Sequence, residues 1–190
     1  MTRYRFYTAT TLDGYLADEN DSLDWLFTQP QGSEQEQRAD PEATQSYPDF
    51  IAGVGALAMG ATTYQWVLDE ITAKGEQWPY SQPCLVFTHR RLEPAAANVR
   101  LVQGSPAAHR AELEEAAQDK DVWVVGGGDL ACQFAEEGML DDLLLSIAPV
   151  TLGAGRPLFP RAFDLELVRH GRNGAFLCAS YRVVGARRAS

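Results

Sequence analysis

The chain has 190 residues, of which 45% are hydrophobic and 22% charged, with a formal charge of −10 and a pI near 4.7. That length accommodates one domain with a substantial core, and the acidic balance argues against general binding to nucleic-acid phosphates. No stretch approaches the ~18 consecutive apolar residues of a membrane span and the first residues lack a secretory signal, so a cytoplasmic protein without a membrane partner is expected.

Tyr4 to Thr10 is rich in aromatic and β-branched residues and predicts a strand, which ends at the Asp13-Gly14 turn. Residues 18–46 are polar, interrupted mainly by Leu23, Trp25, Leu26 and Phe27, and predict a long loop that lids or walls a site. A short helix is expected from about Glu42 to Ala52, with Pro48 limiting its start. Ala56–Met59 reads as a strand that turns at Gly60 into a helix capped by Thr62 or Thr63. The runs at 84–88 and 98–102 are further strands. Thr88, His89, Arg90 and Arg91 form a polar end to the first, and Ser105-Pro106 opens an Ala- and Glu-rich helix after the second.

The strand Asp121–Val125 then empties into Gly126, Gly127 and Gly128. An apolar-periodic helix follows, pairing Leu130 with Phe134 and Ala131 with Ala135, and Gly138 ends it. Glycines let a backbone approach a ligand with no Cβ in the way, and the free N–H groups of a helix start favour an anion. This run therefore reads either as a phosphate cradle or as a tight turn. From Asp142 a buried strand leads to a Gly/Pro loop, and runs near 165–170 and 175–184 flank residues 171–174 as a hairpin. Alternating strands and helices followed by a hairpin predict an α/β fold: a mostly parallel sheet, helices on both faces and antiparallel strands at one side. Ligands of such sheets sit at the carboxyl ends of strands, where Gly60, Thr88 and Gly126 fall.

Cys84, Cys132 and Cys178 match no metal-ligand spacing and read as reduced, partly buried small hydrophobes. His89, His109 and His170 are scattered, so no metal site is expected.

LDGYLA near the start, MGATTY, VFTHR, VVGGGDLA and LDDLLLSIAPVTLGAGRPLF occur in this order over nearly the whole chain. Together they resemble the dihydrofolate reductase superfamily, and within it the reductases related to the C-terminal domain of the bifunctional riboflavin-biosynthesis protein. The resemblance implies a three-layer fold with a mixed sheet of about eight strands, an NADPH cofactor and hydride transfer. Relatives often form dimers, so a homodimer is one option for an oligomeric state that the sequence leaves open. Carried onto this chain, the nicotinamide end runs past Thr8, Ala9, Leu16 and Ala17. The pyrophosphate rests on Gly126, Gly127, Gly128, Asp129 and Leu130, with Gly60, Thr62 and Thr63 at the other helix start. The adenosine 2′-phosphate lies near Thr88, His89 and Arg90.

Two residues depart from the family pattern. Ala61 stands where the family often has an arginine on the adenosine phosphate, so NADH is the alternative cofactor unless Arg90 or Arg91 compensates. Asp129 puts a carboxylate where the pyrophosphate approaches, or caps its helix sideways. Asp13 either shapes the nicotinamide pocket or makes an Asx turn. Trp25 either stacks on a flat substrate or packs its loop. Asp49 and Tyr47 are candidate proton donors, and Asp49 is also a substrate-binding candidate; a solvated first-turn carboxylate and a surface phenol are the alternatives.

The expected function is an NADPH-dependent reductase of a small heterocyclic or sugar-like substrate. Two alternatives stand beside it. One is the riboflavin-pathway reduction of a phosphoribosylaminouracil, which needs a basic cradle that 18–46, with Arg38 its only cation, does not supply. The other is a non-catalytic nucleotide-binding module.

Overall fold

The computed structural model describes residues 1–33 and 46–187. Strand β1 (Tyr4–Thr11) lies near the middle of an eight-stranded sheet, flanked by β6 (Asp121–Val125) and β7 (Asp142–Ala148). Beyond β6 come β3 (Val54–Gly60), β4 (Cys84–Phe87) and β5 (Val99–Val102), and every pairing among these six strands is parallel. On the other side, β10 (Phe176–Ala186) pairs antiparallel with β7 and with the edge strand β9 (Phe163–Asn173). This is the expected mixed, mostly parallel sheet with a C-terminal hairpin.

Alternation along the strands builds two cores from one sheet. Val122 and Val124 of β6 face a core that includes Leu113 and Ala117 of α4 (Arg110–Ala117) and Leu130, Ala131 and Phe134 of α5 (Gly128–Glu136). Their neighbours Trp123 and Val125 face the opposite core, with Phe50 of α2 (Tyr47–Ala52) and Tyr64 of α3 (Ala61–Lys74). Both faces being covered explains the near-continuous apolar runs of β3, β4 and β6.

The structure corrects several local expectations. The segment beginning at residue 18 is not all loop: Asp24–Phe27 forms one helical turn, α1. Just before it, Tyr15–Ala17 pairs antiparallel with Arg156–Pro157 as a separate two-stranded sheet, β2 with β8. Both were hidden because α1 is too short to show a period and β2 finds its partner over a hundred residues away. Of the helix expected from Glu42, residues 42–45 lie outside the described residues, as does Arg38; the described part starts after the Ser46 cap, whose Oγ accepts from the Asp49 N–H. α3 is capped by Gly60 and neither Thr62 nor Thr63 acts as the cap. The Ser105-Pro106 start gives a 3₁₀ turn, Pro106–His109, before α4. The hairpin turn is Gly174-Ala175, since Asn173 already pairs with Phe176, so residues 171–173 belong to β9. All three cysteines are buried free thiols. Among the described residues no helix is long and apolar enough to cross a membrane.

Candidate functional site

Because β1, β3, β4 and β6 run in one direction, their carboxyl ends share an edge of the sheet, and the starts of α3 and α5 meet there. The three glycines after β6 have different surroundings. A Cβ on Gly126 (φ 60°) would lie 2.6 Å from Thr63 Oγ1, whereas one on Gly128 would run into the carbonyl oxygens of Pro157 and Leu158. Both positions are filled by protein. Gly127 (φ 80°) is the N-cap of α5, and its Cβ position meets nothing nearer than Thr63 Oγ1 at 3.9 Å. Its open side lies next to the first-turn amides of α5, which have no partner within the helix. Gly60 adjoins it, since a Cβ there would touch Leu130 Cδ2 at 3.9 Å. Leu130 itself is a core side chain, so only its backbone can face a ligand.

Thr88, at the end of β4, is buried and its Oγ1 accepts from the Arg90 N–H at 2.9 Å. That turn leaves His89, Arg90 and Arg91 exposed, and among the described residues neither arginine makes an ion pair. Asp129 is turned away from the glycines. Its carboxylate accepts from Arg161 at 3.1 Å and from Gln133 at 2.8 Å, so it neither caps the helix nor presents an uncompensated charge to an approaching anion.

Beside this edge lies a cavity of about 460 Å³ lined by Tyr7, Thr8 and Ala9 of β1, Leu26, Gln31, Tyr47, Pro48, Trp123, Ser146, Asn173 and Phe176. Tyr7 stacks on Phe50 with ring centroids 4.3 Å apart and meets Trp123 edge-on at 6.2 Å; the Trp123 indole N–H donates to the Tyr7 carbonyl at 3.1 Å. Burial, with smaller contributions from Cys178 and Tyr47, pushes the Tyr7 phenol up to about 12. Burial also raises Tyr47. Both phenols therefore stay protonated at neutral pH and can donate.

Of the residues singled out in the sequence, Thr8, Ala9 and Tyr47 reach the cavity. Leu16 and Ala17 sit on β2 and do not line it; Leu16 packs against the core that Val122 and Val124 face. Asp49 does not reach it: its carboxylate accepts from the Ser46 hydroxyl at 2.6 Å on the exposed side of α2. Trp25 is 8% exposed and packs with Ala148, Phe176 and Cys178, so it fastens its segment to the core while its neighbour Leu26 lines the cavity. Asp13 makes no Asx turn, since the Tyr15 N–H donates to Thr11 Oγ1 at 3.0 Å. The Thr11 hydroxyl, and then the Gly153 and Leu152 N–H groups at 2.7 and 3.0 Å, hold its carboxyl below the usual range and tie the 151–155 loop to β1. Tyr7, Trp123, Ser146, Asn173 and Phe176 were not anticipated as walls. The alternation of β1 and β6 put Tyr7 and Trp123 on one face, but nothing local said that this face ends in a cavity.

A family model described as the RibD C-terminal domain matches residues 5–175. The chain is 29% identical over 154 residues to the uncharacterized protein YwjB of Bacillus subtilis (strain 168), covering 80% of each. It is 24% identical over 157 residues to the uncharacterized protein YyaP of the same organism, covering 80% of this chain and 77% of that one. Among solved structures it is similar to a putative riboflavin biosynthesis protein from Shewanella sp. PV-4, with a TM-score of 0.74 and 24% identity over 98% of this chain and 99% of that one. A diaminohydroxyphosphoribosylaminopyrimidine deaminase/5-amino-6-(5-phosphoribosylamino)uracil reductase from Thermotoga maritima aligns with a TM-score of 0.59 and 15% identity over 96% of this chain, which spans 56% of that longer one. At these identities the structures establish the shared fold.

Proposed function

This chain belongs to the RibD C-terminal domain family, a family of reductases, and from that premise we propose that it is an NADPH-dependent enzyme reducing a small heterocyclic or sugar-like molecule. The observation that carries the proposal is the open side of Gly127 at the joined starts of α3 and α5, beside a cavity walled partly by aromatic rings. A dinucleotide fits these residues. Its pyrophosphate would be held by backbone amides from Gly127 to Leu130, with Gly60, Thr62 and Thr63 opposite. Arg90, with Arg91 beside it, would take the adenosine 2′-phosphate in place of the arginine absent at Ala61, and Thr88 shapes that turn. Thr8 and Ala9 would border the nicotinamide where it enters the cavity.

When bound, the nicotinamide supplies a hydride. The protein's part is position, exclusion of water and a proton. The aromatic walls displace water from the reacting face. Tyr47, which reaches the cavity from α2, is the proposed proton donor, with Tyr7 the second phenol within reach of the same space. Asp49 has no part in this scheme.

Titration of NADPH and NADH against intrinsic tryptophan fluorescence tests the cofactor assignment. Saturable binding tighter for NADPH is expected, and absence of binding by both would remove it. Gly127→Val should weaken NADPH binding at least tenfold in a chain whose circular dichroism is unchanged; unaltered affinity would sink the cradle. The non-catalytic alternative separates by turnover. It calls for binding without NADPH oxidation in the presence of any substrate, whereas an enzyme oxidises NADPH once its substrate is supplied.

A further inference from the structure

The cavity wall has a consistent chemistry. Tyr7, Tyr47, Trp123 and Phe176 supply aromatic rings, while Thr8, Ser146, Gln31 and Asn173 supply hydroxyls and carboxamides. No Asp, Glu, Lys, Arg or His belongs to it among the described residues. Arginines on neighbouring elements are engaged elsewhere: Arg172 Nε donates to the Gly174 carbonyl at 2.6 Å, and Arg156 pairs with Asp21 at 2.6 Å.

The polar part of the wall is built rather than incidental. At the tip of the β9–β10 hairpin, Asn173 Oδ1 accepts from the Gly32 N–H at 3.0 Å, and the Ala175 N–H donates to the Pro30 carbonyl at 3.0 Å. A Cβ on Gly174 would collide with the Gly32 backbone nitrogen, so the two backbones touch. This clasp holds Gln31 on the cavity rim. With its oxygen engaged, Asn173 offers the cavity its amide N–H groups.

A phosphate or carboxylate placed in this cavity would give up its hydration and meet no cation among the described residues in return, an unfavourable exchange. A flat uncharged ring loses little hydration and gains stacking contacts on the rings around it. We infer that the molecule reduced here is an uncharged planar heterocycle without a phosphate group, stacked on the exposed Tyr47 ring and hydrogen-bonded along its edge by Gln31, Ser146 and Asn173. The inference rests on the reductase proposal for its description as a substrate, but the ligand chemistry of the cavity is testable by itself.

The probe is lumazine at pH 6.5, an uncharged pteridinedione, set against its 6-carboxylate and against uridine 5′-monophosphate. Binding to the full chain is followed by calorimetry, with and without saturating NADP⁺. Lumazine is expected to bind saturably and at least tenfold more tightly than its carboxylate, and the nucleotide is expected not to compete with it. Gln31→Arg, a change at an exposed position that should not disturb folding, is expected to invert the preference between lumazine and its carboxylate. No saturable lumazine binding, an equal or tighter carboxylate, or an unchanged preference in Gln31→Arg would each overturn the inference. NADP⁺ binding is read in the same samples. Lumazine preference without dinucleotide binding would uphold the cavity chemistry and overturn the reductase proposal, and dinucleotide binding without the preference would do the reverse.

Discussion

The two ends of the parallel strands handle charge in opposite ways. At the amino ends, Arg3 pairs with Asp142 at 2.6 Å, Arg5 bridges Asp121 at 3.1 Å and Asp142 at 3.3 Å, and Asp141 accepts from the Tyr4 N–H at 2.8 Å. At the carboxyl ends, among the described residues, Arg90 and Arg91 have no ion pair, the Cβ position of the Gly127 cap has no neighbour nearer than 3.9 Å, and the neighbouring cavity has no charged wall. Charges that close on each other within the chain do structural work. Donors left without an internal partner are where a ligand can be recognised, which supports placing the proposed dinucleotide at the carboxyl edge.

The comparison breaks if substitutions at the two edges have the same kind of effect. The largest effect is expected within the glycine run itself. Gly128→Ala should lower stability by about 3 kcal/mol, since its Cβ has to displace the Pro157 and Leu158 carbonyls, and a denaturant melt within 0.5 kcal/mol of the parent would contradict that packing. At the amino edge, Asp142→Asn should cost about 2 kcal/mol by leaving two arginines short of a counter-charge. Its NADPH affinity should equal the parent's, and a loss of affinity would erase the division between the edges. Arg90→Ala should behave in the opposite manner, with melting unchanged and NADPH binding weakened about fivefold more than NADH binding, in line with a lost charge-assisted contact. Equal weakening of the two dinucleotides would move the 2′-phosphate away from β4.

The smallest effect sharpens the comparison by pH. Burial pushes Tyr7 and Tyr80 up to about 12, above their unfolded value of about 10. The folded state thus retains protons that the unfolded chain has released. Their contribution is complete below pH about 10 and is lost as pH rises towards 12. A stability profile flat from pH 10 to 12 would mean that these two rings are more hydrated than their packing shows.

Much of the fold was legible because it is written in short-range periodicity. The apolar runs of β3, β4 and β6, the 3.6-residue spacing of α5 and the glycines after β6 each declare themselves within a dozen residues. The helix start at Gly126–Gly128 was legible for the same reason, although the distinct tasks of its three glycines were not. Which one faces solvent depends on where Thr63 and the 157–158 backbone lie, and neither is near in sequence.

By itself, then, the sequence determined a mostly parallel α/β sheet, the junctions at which its strands end, and a family membership carried by ordered motifs. Only the tertiary structure decided that Asp129 is neutralised by Arg161, that Asp49 and Trp25 miss the cavity while Tyr7 and Tyr47 share it, and that Asp13 clasps a loop. The reason is range: strand and helix propensities arise from neighbours a few residues apart, whereas a cavity wall and an ion pair are set by side chains that only the closing of the sheet brings within a few ångströms.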